Sequence, residues 1–194
     1  MLKGIFIILG VFVLIKLLPL IITAIMAAML IFTSSGQQEN QQWQDNEYKT
    51  IKIGNQIWMS ENLNYSTKGS QCYKNNTKNC VKCGRLYDWN TAKNVCPKGW
   101  HLPTRNEWDA LVNYMGGSSI AGKKLKAKSG FSALTCGYGA SDGNFYNFGN
   151  YSYWWSSSEN NTNSAYFLSI DNNDNVFRNH LDKSSLFAVR CVKD

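Results

Sequence analysis

The chain has 194 residues, 44% hydrophobic and 13% aromatic, with a formal net charge of +7 at pH 7. Its lysines and arginines are scattered rather than gathered into a stripe, so the basic balance reads as a solvated surface and argues against a nucleic-acid partner. All seven tryptophans and all ten tyrosines lie beyond residue 42, enough aromatic surface to build a core there.

Residues 1–32 are predicted to be an N-terminal membrane anchor. From Gly4 to Phe32 the sequence is almost wholly apolar, broken by Lys16, Pro19 and Thr23, and about 20 apolar residues suffice to span a bilayer. Lys16 is accommodated if the helix tilts or the span begins near Leu17, so that its ammonium snorkels to an interface. A cleaved signal peptide would need a shorter apolar core and an A-x-A-like site; the best site here, Thr33-Ser34-Ser35, is poor. Lys3 and Lys16 lie at or before the start of the span, and no basic residue follows until Lys49. The positive-inside bias therefore expects a single-pass protein with its N-terminus in the cytoplasm and the remainder outside. Residues 33–46, rich in Gln, Asn and Ser, read as a polar linker. Residues 47–194 form one domain of ordinary size.

Within that domain, "YKTIKIGNQIWMSENL" predicts two strands joined at Gly54-Asn55, a pair suited to a tight hairpin. "DWNTAKNVC" predicts a short helix capped by Asp88, with Trp89, Ala92 and Cys96 on one face. "LPTRNEWDALVNYMGG" predicts a second helix. Thr104 and Glu107 have capping-box spacing, Trp108, Leu111, Val112 and Met115 repeat at helical intervals, and Gly116-Gly117 ends the helix. Glu107 thus has a structural task, and His101 reads as a satisfied turn residue rather than a catalytic base. "SAYFLSI", "NVFRNH" and "LFAVRCV" predict consecutive antiparallel strands joined by "DNNDN" and "LDKSS". Strands, then helices, then strands indicate an α+β fold. The six cysteines (72, 80, 83, 96, 136 and 191) all lie on the expected outer side, and an even number there points to disulfides rather than metal ligands.

The series "WxxAxxxC", "GWHLPT", a capped helix and a cysteine in the last strand resembles the C-type-lectin-like fold, and "HLPTRNEW" with "LFAVR" resembles its formylglycine-generating enzyme branch. More narrowly, "IGNQIWMSENLNY", "CYKNNTKNCVKCGRLYDWNTAKNVCPKGWHLPT", "AGKKLKAKSGFSAL", "YWWSSS" and "FAVRCVKD" are similar, in order, to the Fibrobacter succinogenes major domain family, over nearly all of residues 48–194. The resemblance implies an exported protein with two helices and short antiparallel strands, and carries no established activity. It implies a Cys96–Cys191 bond from the first helix to the last strand. Cys72–Cys80 is expected to close the "CYKNNTKNC" loop, whose Asn-rich interior suits a turn. Cys83 and Cys136 both depart from the family pattern and are expected to form a compensating pair.

Three functions compete. A formylglycine-generating type of enzyme would need a close pair of redox-active cysteines near the C-terminus, where only Cys191 lies; the chain is therefore expected not to be an enzyme. A calcium-dependent sugar-binding module would draw on Asp171 and Asp174, oxygen ligands of a kind calcium accepts, yet Asp and Asn are also ordinary turn residues, and the proline-containing loop of such lectins is missing. The preferred expectation is a binding or display module with no cofactor, whose partner is a surface glycan or protein. Its candidate ligand-binding residues are Trp154 and Trp155, and Asn160 in the polar loop 156–164.

Overall fold

The computed structural model describes residues 48–194, Ser129 excepted. The anchor and linker expectations fall on residues outside this range, and no helix among the described residues is long and apolar enough to cross a membrane. The fold is α+β. Strands β1 (Thr50–Ile53) and β2 (Gln56–Met59) form the expected hairpin, with Ile53 opposite Gln56. Gly54 turns it at φ 60, a conformation that costs glycine little. Next come β3 (Ser70–Gln71), a 3-10 turn (Tyr73–Asn75) and α1 (Thr77–Cys83). The "CYKNNTKNC" segment is therefore largely helical where a turn was expected, because Asn76 caps α1 by accepting from the Lys78 amide at 3.0 Å.

Strand β4 (Leu86–Tyr87) leads into α2 (Trp89–Ala92), capped as expected by Asp88, which accepts from the Thr91 amide. This helix stops at Ala92, so Cys96 lies beyond it rather than on its face. After β5 (Trp100–His101), α3 (Arg105–Tyr114) carries the full capping box of Thr104 and Glu107 and buries Trp108, Leu111 and Val112. A further short helix, α4 (Ala121–Lys126), makes four α-helices among the described residues, besides the 3-10 turn, where two were expected in the domain. The chain then continues through β6 (Cys136–Gly139), β7 (Phe145–Phe148), β8 (Tyr151–Glu159), β9 (Ser164–Asp171), β10 (Val176–Asp182), β11 (Phe187–Ala188) and β12 (Val192–Lys193).

The strands form a four-stranded sheet ordered β1-β2-β12-β5, a six-stranded sheet ordered β10-β9-β8-β11-β4-β3, and the β6–β7 hairpin. Strands β8, β9 and β10 are antiparallel neighbours. The "LFAVRCV" run does not continue that meander. It divides between two sheets: β11 lies parallel to β8 and antiparallel to β4, and β12 pairs with β2 and β5. Burial explains the difference. Residues 187–192 are all buried, so the run threads the core, whereas β10 is an edge strand with a largely exposed pattern.

Between the sheets, Trp58, Trp108, Phe131 and Trp154 pack ring against ring, with centroids 4.7–6.1 Å apart. Arg190, 1% exposed, enters this cluster between β11 and β12. Burial pushes its pKa down to about 9, so it remains a cation at neutral pH. Among the described residues no carboxylate forms an ion pair with it; Nε and Nη2 donate to Asn62 Oδ1 at 3.0 and 2.7 Å, and Nη1 donates to the Ser60 and Phe131 carbonyls. The guanidinium also lies 4.1 Å from the Phe131 ring centroid. Trp154 Nε1 donates to the same Asn62 oxygen at 2.8 Å.

The six cysteines form Cys72–Cys80, Cys83–Cys136 and Cys96–Cys191, with Cα–Cα distances of 5.1, 6.0 and 6.0 Å. These are the three expected pairs, and none of the six remains a thiol. The last bond encloses 95 residues of separation, a loop long enough to be worth roughly 4–5 kcal/mol if the stabilisation is entropic.

Asn62→Ala removes the neutral oxygen that three buried donors share. We expect it to lower unfolding free energy by at least about 2 kcal/mol, because buried donors, one of them charged, lose their acceptor. Urea denaturation under oxidising conditions checks this; a change below about 0.5 kcal/mol contradicts it.

A second prediction concerns His101, held between Asp194 (Nδ1 to Oδ1, 2.6 Å) and Glu107 (Nε2 to Oε1, 2.7 Å). Only the imidazolium donates from both nitrogens. Partial burial acts to lower its pKa, but the two carboxylates outweigh that and leave it above the usual 6.5. Burial acts to raise the Glu107 pKa, and hydrogen bonds from the Thr104 amide, His101 and the Thr104 hydroxyl bring it below 4.5. The His101 contribution is complete below about pH 6.5 and fades as pH rises through its raised folded value; the Glu107 contribution is complete above about pH 4.5 and fades on acidification through its lowered one. Their joint contribution therefore peaks between about pH 4.5 and 6.5. His101→Gln should flatten the alkaline fall of a stability–pH curve, and an unchanged curve would disprove the assignment.

Candidate functional site

The β8 sequence "YSYWWSSSE" sends Tyr151, Tyr153 and Trp155 to one face and Ser152, Trp154 and Ser156 to the other. Cross-strand register then builds two unlike surfaces. Trp154 opposes Leu168, and Ser152 opposes Ile170, on the core side. Tyr153 opposes Ser169, which in turn opposes Phe177, on the outer side. The β6–β7 hairpin covers part of this outer face and brings Tyr138 within 4.8 Å of Tyr153 and 5.8 Å of Tyr146. Tyr151 stacks on Tyr153 at 5.8 Å and 25° and meets Phe177 at 6.5 Å.

The result is a continuous aromatic strip, Tyr146–Tyr138–Tyr153–Tyr151–Phe177, resting on buried Phe187 and Trp155. Tyr146 is 41% exposed and Phe177 44%. Such an apolar patch on a soluble face commonly marks an interaction site. Two of its four phenols are held by hydrogen bonds: Asn147 Nδ2 donates to the Tyr153 hydroxyl at 2.7 Å, and the Tyr146 hydroxyl donates to Asp142 at 2.9 Å. Burial raises the pKa of Tyr138 and Tyr153, and the hydrogen bond to Asp142 raises that of Tyr146, so all three stay neutral donors at physiological pH.

Several expected site residues have other tasks. Trp154 and Trp155 are both 0% exposed. Both faces of β8 are covered at that point, and the indoles donate inward to Asn62 Oδ1 and the Tyr87 carbonyl, each at 2.8 Å. Neither ring is available to a ligand. Strand β8 runs on to Glu159, shortening the expected loop, and Asn160 closes the following turn by donating to Ser164 Oγ at 3.0 Å.

Asp171 is 4% exposed and accepts from the Asn175 amide and side chain at 2.8 and 2.9 Å. Burial opposes ionisation of its carboxyl, but those bonds and the nearby Lys126 leave the pKa below the usual value. Asp174 pairs with Lys126, whose ammonium also donates to the Asp171 and Asn172 carbonyls. A lysine thus occupies the oxygen cluster proposed for calcium. No group of three or more His, Cys, Asp or Glu side chains suited to a metal ion occurs among the described residues.

The sequence expectation rests on the tryptophans and omits the tyrosines that alternate with them. The signal was present: in a strand, Tyr151 and Tyr153 must face opposite to Trp154.

No curated protein and no solved structure matches the chain. The family model described as the Fibrobacter succinogenes major domain matches residues 51–193, spanning the hairpin, the capped helix, all six cysteines and the aromatic strip, and the chain belongs to that family.

Proposed function

We propose that this is a membrane-attached, extracytoplasmic binding module that is not an enzyme and that recognises an uncharged glycan through the aromatic strip. The observation that carries the reading is the row of exposed or half-exposed rings, two of whose phenol hydroxyls are oriented by hydrogen bonds, with no lysine or arginine among them. Tyrosine suits sugar well, because its ring offers an apolar surface to C–H groups and its hydroxyl bonds to the sugar's own hydroxyls. Three disulfides support placement in an oxidising compartment, and the apolar run 4–32 supports attachment. Pairing of all six cysteines supports the non-enzymatic reading, since the related enzymes work through thiols. The finer fold reading remains C-type-lectin-like, supported by the Cys96–Cys191 tie to the residue preceding the last strand.

The test is binding of the full chain to an array of neutral and acidic polysaccharides, with calcium and with chelator. We expect binding to a neutral glycan that chelation leaves unchanged, and a loss of about tenfold or more for Tyr151→Ala or Tyr146→Ala, as for aromatic anchors elsewhere. Chelator-sensitive binding would favour the calcium-dependent alternative. Binding untouched by both tyrosine variants would contradict the strip.

A further inference from the structure

From Ala110 to Ser141 the chain carries four lysines and no aspartate or glutamate. Within that stretch α4 is pinned on one side and exposed on the other. Ala121, Gly122 and Leu125 are buried, and a Cβ at Gly122 would come within 2.1 Å of the Asp174 carbonyl oxygen, so the helix lies hard against the β9–β10 turn. Lys126 joins that contact by pairing with Asp174. Ile120, Lys123, Lys124 and Lys128 are exposed instead. No ion pair among the described residues involves those last three lysines.

The end of α3 extends this basic face with an exposed ring. Tyr114 is 67% exposed and Ile120 49%. Gly116, two residues after Tyr114, lies under both the apolar and the basic groups of the face: a Cβ there would sit 3.6 Å from Ile120 Cβ and 3.6 Å from the Lys124 ammonium. The Tyr114 ring itself covers Gly54, where a Cβ would come within 3.0 Å of Tyr114 Cδ2. The chain enters the domain through β1, which ends at Ile53, directly before that glycine. Four residues at about 3.3 Å each place Thr50 about 13 Å from Gly54. The exposed tyrosine therefore lies at the side of the domain from which the preceding chain departs.

Lysines paired with no carboxylate, beside an exposed phenol and an exposed branched alkyl group, match a bilayer surface. Its phosphates take the ammonium groups, and its interfacial layer takes amphipathic rings. We propose that this face docks on an anionic phospholipid membrane, with Lys123, Lys124 and Lys128 against the headgroups and Tyr114 and Ile120 entering the interface. Each lysine near such a surface strengthens docking by about fivefold. The proposal deepens the attachment reading and rests on it for local concentration. Residues 33–47 span at most about 55 Å, so the domain meets the bilayer as a tethered partner, for which a weak contact suffices.

The experiment places the full chain, labelled with fluorotyrosine, on vesicles that carry a paramagnetic headgroup, made either of phosphatidylcholine alone or with phosphatidylglycerol added. Flotation with the neutral vesicles reads attachment, and broadening of the Tyr114 fluorine signal reads docking. We expect Tyr114 to broaden more than Tyr146 and Tyr151 on the anionic vesicles, and the difference to fade on the neutral ones and at high salt. The triple variant Lys123→Gln, Lys124→Gln, Lys128→Gln should lower the docked-to-undocked ratio by about a hundredfold. The control Lys78→Gln, Lys82→Gln, Lys98→Gln removes equal charge from other exposed positions and should leave Tyr114 as broad as before. Tyr114 no broader than Tyr146 in a chain that floats, or an equal loss in the control, would overturn docking and leave attachment standing. Flotation with anionic vesicles alone, lost in the triple variant, would overturn attachment and leave docking standing. Tyr114 unmoved by the anionic vesicles but shifted by a polyglutamate peptide would give the face to an acidic protein and overturn the lipid proposal.

Discussion

Arg190 is buried, and no carboxylate among the described residues forms an ion pair with it. A buried cation in that position is tolerated only if every neighbour supplies an oxygen or a ring face. Asn62, the Ser60 and Phe131 carbonyls and the Phe131 ring do so, and each comes from a different stretch of chain from that of Arg190. Satisfying one guanidinium therefore fixes the segment after β2, the loop after α4 and the last turn of the chain at a single point. Because Asn62 also accepts from Trp154, the node extends into the middle of β8. Lysine would not substitute, since its point charge lacks the planar fork that reaches several acceptors at once.

That constraint has a consequence on the opposite face of the same strand. With Trp154 anchored inward, the alternation of β8 commits Tyr151 and Tyr153 outward, and cross-strand register adds Phe177 beside them. The Cys83–Cys136 bond ties the start of β6 to α1, holding in place the hairpin that brings Tyr138 and Tyr146 onto this face. Rings that are fixed before a ligand arrives lose little freedom on binding, which favours affinity without a large contact area. The frame thus acts at the site through position. It leaves the strip uncovered on its outer side.

Much of the fold was legible where local chemistry decides it. Thr104 and Glu107 announce α3 through a reciprocal pair of hydrogen bonds, and Gly54 announces the first hairpin; neither depends on distant residues. The "LFAVRCV" run was misassigned because a short β-rich segment does not reveal its neighbour, and here burial at every position takes it away from β10 into two sheets. The helical character of the segment at 73–83 was hidden by asparagines, which serve turns and helix caps alike. The candidate site failed at the tryptophans for a similar reason. An indole beside a polar loop has the composition of a sugar platform, but at 154 and 155 both faces of the strand are covered. Arg190 belongs to the "FAVR" motif, but its role is not legible there, since a buried arginine is identified only by the acceptors that other segments bring to it.

The most direct measurement of the central claim is a titration of the protein with a neutral hexasaccharide, followed by the ring resonances of its assigned aromatic residues in NMR spectra. The account predicts saturable shifts at Tyr146, Tyr151 and Phe177, with the indole resonances of Trp154 and Trp155 unmoved in the interior. Saturable binding that leaves the strip tyrosines unmoved and perturbs residues elsewhere would contradict it.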